Sequence, residues 1–100
     1  MIKVKIEKQN SKYKKITMTG HANYDDYGKD IVCSAASSIM TTTVNGIIAL
    51  DKESLSYLVS KKGIIIDIKN ENKNTQILIG NMINLLKELE RNYPTNIEVK

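Results

Sequence analysis

Apolar and polar residues alternate at the start of the chain: Ile2, Val4 and Ile6 are separated by Lys3, Lys5 and Glu7. A period of two predicts a strand with one buried face. "QNSK" supplies turn residues, and residues 13–19 return with Ile16 and Met18 inward, so the chain opens with a predicted β-hairpin. From Asp30 the period changes. Ile31, Val32, Ala35, Ala36, Ile39, Met40, Val44, Ile47 and Ile48 recur at steps of three and four, predicting a helix over about 31–50 with a broad apolar face. Asp30 is a favoured N-cap, whose carboxylate can accept the amide hydrogen bond of residue 33. The small residues from Ser34 to Ser38 let another element approach closely. "LSYLVS", "KKG" and "IIIDIK" predict a second hairpin with β-branched residues in its return strand. After "NENKNT" a second helix is predicted over about 75–92, with Leu78, Met82, Leu85, Leu86, Leu89 and Tyr93 as its stripe and Pro94 as its stop. "NIEVK" closes the chain as a short strand. The order is ββαββαβ: an α+β fold in one layered domain over residues 1–100, two helices packed on mostly antiparallel strands.

One hundred residues, 41% hydrophobic and 26% charged, suffice for one core but not two, and oligomerisation would help so small a fold. No run is read as approaching the roughly 20 apolar residues of a membrane span. "MIKVKIEKQ" does not build a signal-peptide core, so a cytoplasmic protein without a membrane partner is expected. Fourteen lysines and the single Arg91 give a formal charge of +4, and six of those lysines fall in the first fifteen residues, opposed there only by Glu7. A basic strip can meet nucleic acid. Sequence readers, however, favour the bidentate fork of arginine, and no RNA-stacking aromatic motif is present. The favoured reading is a solvated lysine face on a hairpin, with no specific nucleic-acid partner. One cysteine and one histidine allow no internal disulfide and no closed zinc site without carboxylates, so neither metal nor cofactor is predicted.

Those two residues lie twelve positions apart in "GHANYDDYGKDIVCSAAS". Cys33 falls in the first turn of the first predicted helix, where unpaired amides and the helix dipole favour a negative charge. Asp30, one turn away, opposes that charge. A connection folding back from the strand end could bring His21 to the sulfur as a Cys/His dyad. Ser37 lies four residues on, hence on the same helix face. The bland alternative is a cysteine that is a small buried hydrophobe and a histidine that is a turn residue. Spacing alone does not decide between them.

At "GHA", "GKDIVCSAAS" and "TTTVNG", and in length and element order, the chain resembles the bacterial ribosomal-processing cysteine protease family, Prp. Ser34 stands where the family commonly has alanine, which keeps the position small. The resemblance implies Cys33 as nucleophile and His21 as general base, Asp30 and Ser37 as helpers, and Gly20 and Gly28 as hinges of a mobile loop. It also implies the substrate, a large-subunit ribosomal protein whose N-terminal extension must be removed, and a cytoplasmic homodimer packed through helices. On this reading Cys33 and Ser34 amides receive the oxyanion. Tyr24 and Tyr27 line an apolar subsite in a loop that closes over the peptide. Two rivals remain: a non-catalytic ribosome- or RNA-associated module using the lysine-rich hairpin, and a redox-sensing thiol protein.

Overall fold

In the first hairpin both turn residues, Asn10 and Ser11, have positive φ (53° and 65°), the left-handed pair whose twist matches that of the strands it joins. They connect β1 (Ile2–Gln9) to β2 (Lys12–Thr19) in the computed structural model, which describes residues 1–21, 25 and 30–100. The chain continues through α1 (Ile31–Leu50), β3 (Leu55–Ser60), β4 (Gly63–Ile68), α2 (Lys73–Asn92) and β5 (Ile97–Val99). The five strands form one sheet in the order β3-β4-β2-β1-β5. Every neighbouring pair is antiparallel except β1 and β5, which run parallel.

One face of this sheet, carrying Ile2, Val4, Ile16, Met18, Ile64 and Ile66, is buried beneath the two helices, and the other faces solvent. The expected ββαββαβ order is therefore observed. Burial of these branched side chains drives the fold, at roughly 1.5–3 kcal/mol for each one removed from water. Near the hairpin turn the β1–β2 register slips between Glu7 and Lys8, leaving Lys14 without an opposite residue. The Tyr13 main chain, displaced by this bulge, is satisfied from α2. Tyr13 N–H donates to Gln76 Oε1 (2.8 Å), and Gln76 Nε2 donates back to Tyr13 O (2.9 Å).

The solvent face of the sheet accounts for three of the six lysines at the start of the chain. Lys3 is registered beside Glu98, and Lys15 lies between Glu7 and Asp67. With Lys5 the face thus carries three lysines near three carboxylates, of which Glu98 also pairs with Lys100 at 3.6 Å. Opposing charges absent from the first fifteen residues are supplied by β4 and β5.

Helix α1 has the expected ends, but its contact stripe is narrower than the apolar pattern. Val32, Ala36, Met40, Val44 and Ile47 are buried, whereas Ile31 is 54% exposed and Ile48 also faces solvent. A single sheet face cannot cover an apolar arc that wide. The membrane expectation is also corrected: α1 is 20 residues long with a mean hydropathy of 1.4, long and apolar enough to span. Here its buried stripe packs as a core helix on the sheet.

Helix α2 starts at Lys73, two residues before the predicted start, because Asn72 caps it: its side chain accepts from Asn74 N–H at 2.9 Å. Its buried residues are Thr75, Ile79, Met82, Ile83 and Leu86. Leu85, placed in the stripe by sequence, is 41% exposed. Leu85 lies on one flank, about 100° around the axis from the buried centre at 100° per residue, whereas Leu78, Leu89 and Tyr93 pack partly buried against the core. Where α2 begins, Ser54 and Thr75, both buried, hydrogen-bond through their hydroxyls.

Candidate active site

Four strand termini meet at one end of the sheet: the start of β1, the end of β2, the end of β3 and the start of β4. The first turns of α1 stand over them. Together they enclose an open groove of about 710 Å³. Ile2, Met18 and Ile64 form its apolar floor; Gly20 and His21 at the end of β2, with Asp25, form one wall; Val59 to Gly63 form another; and Asp30, Cys33, Ser34 and Ser37 overhang it.

Local conformation explains how these parts come so close. Gly20 has φ +85°, and a Cβ there would strike the Met1 main-chain carbonyl. Only glycine turns the chain out of β2 at this point. Gly63, at φ +139°, lies equally tight against the Met18 carbonyl. The β3–β4 turn is thereby held beside the strand that delivers His21.

Asp30 organises the other side. It is 93% buried (7% exposed) and adopts an extended conformation, φ −76° and ψ 105°, as the N-cap of α1. Its Oδ1 accepts from Val32 N–H (2.9 Å) and from Cys33 N–H (3.0 Å). Its Oδ2 accepts from Asp25 N–H (3.4 Å), and its carbonyl accepts from Ser34 N–H (3.1 Å). Asp30 thus fixes the backbone of Cys33 and ties Asp25 to the helix start. Cys33 is half-buried against the core, Ser37 is half-buried one turn later, and His21 is exposed.

These bonds overturn one expectation. The Cys33 and Ser34 amides were expected to receive an oxyanion, but both already donate to Asp30, the first to its carboxylate and the second to its carbonyl. A buried carboxylate at the N-cap occupies the donors that an anion would otherwise find at a helix start. It also places a negative group beside the dipole expected to favour a thiolate.

Of the residues singled out by sequence, His21, Cys33, Asp30, Ser37 and Gly20 all line the groove. Gly28, Tyr24 and Tyr27 lie outside the described residues. Sequence reasoning missed the wall from Val59 to Lys62, because "KKG" was read only as turn punctuation. The available signal was an uncharged strand, "LSYLVS", with two large apolar residues just before that turn. Among the described residues no group of three or more His, Cys, Asp or Glu is arranged to hold a metal ion.

Comparison with known proteins bears on what the groove does. A family model described as cysteine protease Prp matches residues 1–98. The chain is 32% identical over 87 residues to the ribosomal processing cysteine protease Prp of Staphylococcus aureus, covering 84% of this chain and 82% of that one. It is 32% identical over 90 residues to the Bacillus subtilis protein of the same name, covering 82% and 80%. Its fold matches a crystal structure of the S. aureus Prp in complex with a covalently linked product peptide, with a TM-score of 0.91, 31% identity and coverage of 100% of this chain and 98% of that one.

Proposed function

Because the chain belongs to the cysteine protease Prp family, we propose that it removes the N-terminal extension of a large-subunit ribosomal protein, with Cys33 and His21 as a catalytic dyad. The observation that carries this reading is the convergence of the only cysteine and the only histidine on one groove. They reach it from different elements, the start of α1 and the end of β2.

In the reaction the Cys33 thiolate attacks the scissile carbonyl carbon, forming a C–S bond as the carbonyl electrons move to oxygen. Collapse breaks the C–N bond, and the departing amine takes a proton from the His21 imidazolium. Water then attacks the thioester while His21 accepts its proton, and breaking the C–S bond releases the carboxylate product and restores the thiolate. Since the first-turn amides of α1 are held by Asp30, the oxyanion takes its donor from the Ser37 hydroxyl, one turn along the same face. Asp30 acts as a positioning residue: it fixes the backbone that carries the sulfur. No cofactor takes part.

The protein is proposed to act in the cytoplasm as a homodimer, with two copies meeting on the uncharged outer face of α1, where Ile31, Ser38, Thr42, Asn45 and Ala49 are exposed. The RNA-module reading is weakened because two of the hairpin lysines, Lys3 and Lys15, lie beside carboxylates on the sheet's solvent face.

The test is to mix the purified protein with the extended ribosomal protein and follow the mass of the latter. A discrete loss from its N-terminus is expected, and Cys33→Ala and His21→Ala are each expected to abolish it while leaving thermal unfolding unchanged. Trimming retained by either variant removes the role assigned to that residue.

A further inference from the structure

β3 is an edge strand, and among the described residues no strand pairs with its outer side. Edges of this kind invite pairing with other chains, and proteins ordinarily blunt them with lysine, proline, a bulge or a cover. β3 has none of the first three. Its sequence, LSYLVS, carries no charge and no proline, and its register with β4 runs without interruption from Leu55 to Ser60. Leu58 and Val59 are 61% and 57% exposed.

Hydrogen-bond phase shows what the edge offers. Lys69 N–H donates to Ser54 O at 2.8 Å, in register with the Leu55–Ile68 pairing that follows. Directly opposed residues alternate between bonded and non-bonded pairs. Ser56, Leu58 and Ser60 therefore direct their N–H and C=O groups toward β4, and Tyr57 and Val59 direct theirs outward. The edge then runs straight into the groove: Val59 and Ser60 are part of the wall facing Cys33.

We propose that the extended peptide substrate adds to the sheet as a sixth strand on the free edge of β3, bonding the outward main-chain groups of Tyr57 and Val59, and so enters the groove already straightened. This inference rests on the protease reading above, and it assigns recognition in large part to backbone. Continuity of the edge with the groove selects the peptide over a second copy of the chain as the occupant.

The test uses Cys33→Ala and a synthetic peptide spanning the extension and the first residues of the ribosomal protein. Hydrogen exchange at the Tyr57 and Val59 amides is expected to slow at least tenfold when the peptide is added. N-methylation of the peptide is expected to weaken binding at every second position. Val59→Pro supplies an independent check. It removes an outward N–H without breaking the β3–β4 ladder, as proline at an edge permits, and is expected to lower kcat/KM for the peptide at least tenfold with the fold retained. Peptide binding without protection at Tyr57 and Val59 overturns the edge assignment and leaves the protease reading standing. Protection without cleavage by the wild-type protein does the reverse. Concentration-dependent protection in the absence of peptide assigns the edge to a second copy and overturns the proposal.

Discussion

The two helices are equally long, 20 residues each, yet they are written for different surroundings. α2 carries Lys73, Lys87, Glu88, Glu90 and Arg91 outside its buried stripe, and Arg91 sits in its last turn, where a cation complements the helix dipole. α1 carries no charged residue from Ile31 to Leu50. Its outer flank is serine, threonine, asparagine and alanine, with exposed isoleucine and leucine at both ends. α2 is therefore finished by water, whereas α1 has a first turn that overhangs the groove and a flank better suited to protein than to solvent. Burial holds both helices in place, but only α1 lines the groove, and the proposed chemistry falls to it.

Removing the sulfur gives the largest expected effect and separates the helices most sharply. Cys33→Ala is expected to lower the rate of trimming by about 10⁴-fold or more, with no change in the unfolding transition. Leu86→Ala in α2 should do the opposite, destabilising the fold by about 2–5 kcal/mol with little effect on kcat in the molecules that remain folded. Chemical denaturation combined with cleavage kinetics measures both.

Asp30 lies between these extremes, because it belongs to the fold and to the site. Asp30→Ala is expected to cost about 0.5–2 kcal/mol as a lost cap and to reduce kcat more than that loss explains. Asp30→Asn keeps an oxygen for the Val32 and Cys33 amides and should restore most of the stability. Retention of full kcat in Asp30→Ala would show that the backbone tie does not position the sulfur.

The smallest effects on stability are expected on the outer flanks. Ala49→Glu on α1 should leave unfolding within about 0.5 kcal/mol of wild type yet convert a dimer to a monomer by light scattering. Lys87→Glu on α2 should change neither. A monomeric wild-type protein would break the comparison at this point.

The ends of α1 were legible because Asp30 is a strong local signal read within one turn, and the structure places its carboxylate on the Val32 and Cys33 amides. The order of elements along the chain was legible from alternation and turn chemistry, whereas the sheet order β3-β4-β2-β1-β5 was not. The α2 stripe was legible except at Leu85, since a leucine on a flank matches the helical period as well as one on the buried face, and only the packing partner determines which is covered. The groove was half legible. Residues 20–37 announce themselves by composition, but the wall from Val59 to Lys62 comes close only because β4 pairs with β2. Nor could sequence reveal that one aspartate engages three consecutive amides. That depends on the extended conformation of Asp30, which distance along the chain does not specify.

β5 lies beside β1, and the Ile2 amide donates to the Asn96 carbonyl at 2.9 Å. Ile2 also contributes to the groove floor, so that floor is tied to a strand remote from it along the chain. Loosening β5 should therefore be felt beneath His21 and Cys33.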